Sequence, residues 1–154
     1  MAEGLSHIDA RGQARMVDVA GKDVTVRTAL ARGRVRTSAA PAIAEGTVAK
    51  GDVLATARIA GIMAAKRTPD LIPMCHPIAV HGVTVDLTVG HDAVEVSAQV
   101  RTADRTGVEM EALTAVTVAC LTIIDMTKAV DPAATIEDVQ VVRKTGGASG
   151  DWQR

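Results

Sequence analysis

The sequence contains no phenylalanine and no tyrosine, and its single tryptophan is Trp152. Base-stacking platforms of the kind that hold single-stranded nucleic acid are therefore missing. A core of Ala, Val, Ile, Leu and Met must form without the large area that aromatic rings bury, so association between subunits would help it. Only two cysteines, Cys75 and Cys120, are present. That is too few for a disulfide scaffold, and no basic start followed by an apolar run opens the chain, so a reducing, cytoplasmic setting without a signal peptide is expected. Charge of neither sign prevails: 17 Lys and Arg stand against 18 Asp and Glu. This balance argues against a mainly electrostatic partner, either nucleic acid or a membrane surface. The most apolar run, Ala112 to Ile124, is shorter than the roughly 20 residues a membrane span requires and reads as a buried helix.

What is present fits one domain, 1–154, with an irregular arm over 1–23 and a Gly-rich mobile tail over 144–154. Val24 to Thr37 alternates apolar and polar residues as a half-exposed strand does, with an interruption expected at Gly33. Pro41 opens a short helix that ends at Gly46. Asp52 is placed to cap a helix over Val53 to Lys66, stopped by Thr68-Pro69. Ala57, Ala60, Gly61 and Ala64 give that helix a face of small side chains, against which another element can approach closely. Val80 to Val89 and Ala93 to Thr102 alternate around Gly90-His91-Asp92 and read as a hairpin. Thr106 and Glu109 have capping-box spacing before a long apolar helix carried to about Val130, and Thr135 to Arg143 alternates again as a last strand. The order strand, helix, strand, strand, helix, strand is that of a ferredoxin-like α+β sandwich, an antiparallel sheet with both helices on one face.

Several segments carry more chemistry than a fold requires. Asp18, between two valines in the arm, can orient a lysine or accept a substrate hydrogen bond, or simply be solvated. Lys50 precedes a helix N-terminus and suits a phosphate, although a loop lysine beside an N-cap Asp would look the same. Ile72-Pro73-Met74-Cys75-His76-Pro77 stiffens a thiol and an imidazole between prolines. Zinc lacks a second ligand pair there, so no metal site is expected. His76 serves better as a donor to substrate than as a base for Cys75, and a packed histidine tied to backbone is the alternative. Glu109 and Glu111 lie roughly 200° apart on a helix and so cannot both face one pocket unless the first turn is irregular. Asp125 and Lys128 are neighbours on one helix face. Because the helix around them is apolar, Lys128 is the best general acid or base candidate. Lys144-Thr145-Gly146-Gly147 and the residues after it have the composition of a phosphate-cradling loop without a Walker order.

Together, Met16-Val17-Asp18-Val19, Lys50-Gly51-Asp52-Val53 through Gly61, Leu71 to Pro77, Thr106 to Ala115, Asp125-Met126-Thr127-Lys128-Ala129 and the Lys144 loop resemble the cyclic pyranopterin monophosphate synthases, also called molybdenum cofactor biosynthesis protein C. The resemblance runs from about Leu5 to Trp152. It implies a lyase that turns a cyclised dihydro-GTP into cyclic pyranopterin monophosphate with release of pyrophosphate. It also implies a ferredoxin-like subunit in a homohexamer, a trimer of dimers with pockets at the dimer interface. By the same resemblance Lys50, Asp125 and Lys128 are catalytic, while Asp18, Cys75, His76, Glu109, Met110, Glu111 and Lys144 bind the substrate. Arg58 is a further cation for the triphosphate. No resident cofactor is implied, and a divalent cation can accompany the triphosphate. The chain departs from the pattern at Ala148, where many relatives carry a second lysine, and at Ile124, where many carry an aromatic residue. Two other readings stand beside this one: a non-catalytic small-molecule sensor, which would not need Lys128, and a nucleic-acid binder using Arg58, Lys66 and Arg67.

Overall fold

A computed structural model describes residues 6–154, so the first five residues of the expected arm lie outside the described residues. The chain forms β1 (Thr25–Arg36), α1 (Ala40–Glu45), α2 (Val53–Lys66), α3 (Thr68–Leu71), β2 (Val80–Val89), β3 (Ala93–Asp104), α4 (Glu109–Thr127), β4 (Thr135–Thr145) and β5 (Trp152–Gln153). The sheet order is β2-β3-β1-β4-β5, with every pair antiparallel. The first four strands have the ferredoxin-like arrangement. Each crossover runs through a helix, α2 between β1 and β2 and α4 between β3 and β4, and both helices cover one face.

The alternation in the strands sets that face. In β1, Ala29, Ala31 and Val35 are buried, while Arg32 and Arg36 point to the bare side, as the period of two requires. Gly33 does not interrupt the strand. Its pairing with Val96 on β3 is continuous, and a Cβ there would lie 2.9 Å from Val139 and 3.0 Å from Val116, so the glycine makes room for core side chains. The irregularity falls on β4 instead, where the register with β1 shifts and Asp138 takes φ 54°.

Small residues let the helices meet closely. Ala57, Gly61 and Ala64 of α2 are buried, as are Ala112, Ala115 and Ala119 of α4, and a Cβ on Gly61 would lie 3.0 Å from the Ala115 carbonyl oxygen. Asp52 caps α2 as expected, accepting the Ala55 N–H at 2.9 Å. Thr68-Pro69, expected only to stop α2, begins the short α3. The buried Thr68 hydroxyl donates to the Ala65 carbonyl at 3.1 Å, so the chain turns and continues helically.

Two features lie at the ends of the chain. The arm turns back on itself at Asp9, whose carboxylate accepts the Arg11 and Gln13 N–H groups at 2.8 and 2.9 Å. The Gly-rich tail returns to the sheet as β5, pairing Lys144 with Trp152 and Arg143 with Gln153. Among the described residues α4 alone is long and apolar enough to cross a membrane. It packs against the sheet beside α2, with Ala112, Ala115, Val116, Ala119 and Ile123 fully buried, and is a core helix.

Candidate active site

The expected site residues gather at the two ends of α4. At its N-terminal end a cavity of about 300 Å³ is lined by Cys75, His76, Glu109, Met110 and Glu111, with Val17, Val19 and Lys22 closing it from the arm. At its C-terminal end Lys50, Asp125 and Lys128 form an exposed ion cluster. From Glu109 to Asp125 the helix rises by about 24 Å at 1.5 Å per residue. One subunit therefore keeps the two groups apart.

The first turn of α4 departs from the capping-box expectation. The N-cap is Val108, without a side-chain cap bond. Glu109 is instead turned to Lys144, 3.4 Å away. Its carboxylate also lies over Gly107, where any Cβ would collide with it. The expectation that Glu109 and Glu111 cannot share a pocket is overturned as well, since both line the same cavity. That cavity sits at the end of the helix and not on its flank, so angular separation around the axis does not divide them.

Glu111 is only 3% exposed. Burial pushes its carboxyl above the ordinary value, its own backbone N–H partly offsets this, and the nearby Glu109 charge raises it further. Cys75 is held as a thiol for the same reasons, burial first and the Glu111 charge second. A poor thiolate is a poor nucleophile. Cys120 is fully buried in α4 and its thiol is pushed up to about 12 by burial, so it belongs to the core. His76 combines both readings offered by the sequence. Its Nε2 bonds the Val17 carbonyl oxygen, and because a carbonyl only accepts, that nitrogen carries the proton and Nδ1 remains for another partner. Asp18 lines an adjoining groove with His76, Asp104 and Arg105, where its carboxylate accepts the Ala20 N–H at 2.8 Å.

Next to the cavity lies a polar pocket of about 240 Å³ lined by Lys22, Arg27, Lys144, Thr28, Thr145 and Ser149, and it shares Lys22, Thr106, Gly107 and Glu109 with the first. Lys144 donates to the Ser149 hydroxyl at 2.8 Å. Gly146 and Gly147, both at φ 81°, bring the loop against Val26 and Arg27, where side chains would not fit. Lys22 and Arg27 were not legible as site residues, because one sits in the arm and the other opens a strand, without a local motif. Arg58 is elsewhere. Its Nε donates to the Val85 carbonyl of β2 at 3.0 Å, and it lines neither pocket of the subunit.

In the second cluster one carboxylate serves two ammonium groups. Lys128 reaches Oδ1 of Asp125 at 2.7 Å, and Lys50 reaches Oδ2 at 3.2 Å and the Asp125 carbonyl at 2.9 Å. Lys128 first and Lys50 second hold the Asp125 carboxyl below the usual carboxylate range. All three side chains are about half exposed, so the cluster adds little stability.

The MoaC family matches residues 16–147. The chain belongs to that family. Similar proteins include the cyclic pyranopterin monophosphate synthase of Streptomyces coelicolor, 67% identical over 154 residues that cover 97% of this chain and 89% of the relative. Cyclic pyranopterin monophosphate synthase 2 of Mycobacterium tuberculosis is 60% identical over 152 residues, 97% of this chain and 91% of the relative. The cyclic pyranopterin monophosphate synthase of Thermomicrobium roseum is 58% identical over 158 positions, 100% of this chain and 95% of the relative. Membership in the MoaC family makes the chain an enzyme, a lyase of molybdenum cofactor biosynthesis.

Proposed function

We propose that this chain converts cyclised dihydro-GTP to cyclic pyranopterin monophosphate and pyrophosphate, in a pocket completed by two subunits of a homohexamer built as a trimer of dimers, in the cytoplasm. The observation that carries the reading is the pairing of the three-residue Lys50-Asp125-Lys128 cluster with a separate cavity that holds acids, an imidazole and a polar cationic pocket. Each group alone is half a site. A triphosphate needs several cations, and Lys22, Arg27 and Lys144 supply them beside hydroxyls. The guanine-derived ring then extends into the neighbouring cavity, where Glu111 and His76 read its polar edge.

Cyclic phosphate formation requires a sugar hydroxyl to attack the innermost phosphorus as the bond to the departing pyrophosphate breaks. The hydroxyl proton passes to a base, and the developing charge on pyrophosphate is met by the cationic pocket. Opening and re-closing the purine-derived ring needs proton transfers. Lys128 performs them, oriented by Asp125, with Lys50 completing the ion cluster. The Ala148 departure costs one lysine in the tail, and Arg27 and Lys22 stand in the same pocket as cations.

The test incubates the protein with cyclised dihydro-GTP and follows pyrophosphate and the cyclic-phosphate pterin together, with equal amounts of both expected. Substrate bound but left intact would favour a sensor. Mixing the impaired Lys128→Ala and Glu111→Gln subunits then tests sharing. In random mixed dimers one of two pockets is free of both changes, so about a quarter of the activity returns if the site spans two subunits. No recovery would put the whole site on one chain.

A further inference from the structure

We infer that Arg105, in the turn between β3 and α4, is a positioning residue that holds Lys22 where the cavity and the polar pocket meet, and that it acts on the substrate triphosphate only through Lys22. This rests on the phosphate role given to the polar pocket above. Lys22 is a cation shared by the two pockets. The segment that carries it has little structure of its own. Residues 16–23 join no strand or helix. Their internal bonds are two short turns, from the Ala20 N–H to the Asp18 carboxylate at 2.8 Å and from the Lys22 N–H to the Val19 carbonyl at 3.0 Å. Where Lys22 sits therefore depends on what ties the segment to the body of the subunit. Among the described residues two side chains do so by hydrogen bonds. His76 holds the Val17 carbonyl, and the Arg105 Nε donates to the Lys22 carbonyl at 2.9 Å, across 83 positions of sequence. The second tie falls on the backbone of the cation itself.

The end of β3 prepares Arg105 for this contact. The Asp104 carboxylate accepts the Arg105 N–H at 2.7 Å and the Ala79 N–H at 3.3 Å, which fixes the turn against the residue that leads into β2. The Asp104 carbonyl oxygen accepts the Arg27 Nε at 3.2 Å. Two adjacent residues thus seat both cations that no local motif marked. Within the subunit Arg105 lines the groove it shares with Asp18 and His76, and neither of the pockets that hold Lys22. Its contribution is then preorganisation. With the Lys22 backbone fixed, only the lysine side chain remains to be ordered when a phosphate arrives, and less of the binding energy is consumed by ordering the arm.

Arg105→Met keeps the length of the side chain and removes the donor. It is expected to raise KM about three- to tenfold with kcat nearly unchanged, and to weaken inhibition by inorganic pyrophosphate in parallel. In a Lys22→Ala background the same substitution should change neither quantity, because residues that act as one unit are not additive. Arg105→Lys, which still donates to a carbonyl, should recover most of the loss. Trypsin cleavage after Lys22, followed by mass, is expected to become at least about tenfold faster in Arg105→Met, since the released segment opens locally. Loss of a direct contact with substrate would not produce that change. Equal losses in the two backgrounds, cleavage at the parent's rate, or an unchanged KM in Arg105→Met where Lys22→Ala is impaired would each overturn the tie and leave the phosphate pocket standing. Normal KM and normal pyrophosphate inhibition in Lys22→Ala would overturn the phosphate role of the pocket, and the role of Arg105 with it.

Discussion

Lys50 reaches from the loop before α2 to the last turn of α4 and donates to both the carboxylate and the carbonyl oxygen of Asp125, at 3.2 and 2.9 Å. It thereby joins two helices at the point where Lys128 occupies the other carboxylate oxygen. The pairs are exposed, so their purpose is geometric more than stabilising.

Lys128→Ala and Lys50→Ala are each expected to lower turnover by at least about a hundredfold, the scale on which a positioned acid–base or electrostatic group acts. Thermal melting should barely move. Near-normal rates in both would withdraw the catalytic assignment. Because Asp125 titrates below the usual carboxylate range, its contribution is present above that range and is lost only as pH falls through the lowered value. An acid limb in the turnover profile near neutrality must then come from a group other than Asp125.

Glu111 has the opposite sign. Its folded-state carboxyl titrates above the unfolded one because burial disfavours the charge, so in the interval between the two the folded protein holds a proton that the unfolded chain has released. Stability therefore declines as pH rises through that interval. Glu111→Gln removes this dependence, and the difference in melting temperature between variant and parent should grow in the variant's favour from acidic to neutral pH. Turnover should fall roughly tenfold or more, as expected when a buried polar contact to substrate is altered. A melting difference independent of pH would show that Glu111 ionises normally.

Arg27→Ala and Lys22→Ala are expected to raise KM more than they lower kcat, by about tenfold, since charge-assisted bonds to phosphate act on the bound substrate before reaction as well as during it. Inhibition by pyrophosphate should weaken in parallel. A pure loss of kcat with unchanged pyrophosphate inhibition would move these residues out of the phosphate pocket.

Gly61→Ala is expected to destabilise the fold by about 1–3 kcal/mol, the usual result of overfilling a packed contact. The new methyl would meet the Ala115 carbonyl oxygen at 3.0 Å and Val85 at 3.2 Å, and neither a helix backbone nor a sheet side chain beneath it can yield freely. Differential scanning calorimetry measures the shift. An unchanged melting temperature would mean that α2 and α4 separate at little cost.

The sequence by itself determined the ferredoxin-like order, because each element is written in a local period: two for β1 through β4, 3.6 for α2 and α4, with Asp52 as the cap and Gly61 at the close contact. It also carried the residue types of the site, in segments whose resemblance to the synthases was legible without coordinates. Only the tertiary structure decided how those residues are grouped. Spacing along a helix gives angles around its axis but not what lies off its end, so the sharing of one cavity by Glu109 and Glu111 was unreadable, as was the exchange of Glu109's capping role for Lys144. Lys22 and Arg27 reach their pocket through long-range pairing of β1 with β4 and the return of the tail, which no short motif records. The length of α4 sets Asp125 about 24 Å from Glu109 at the other end of the helix, and that separation is a property of a rigid helix.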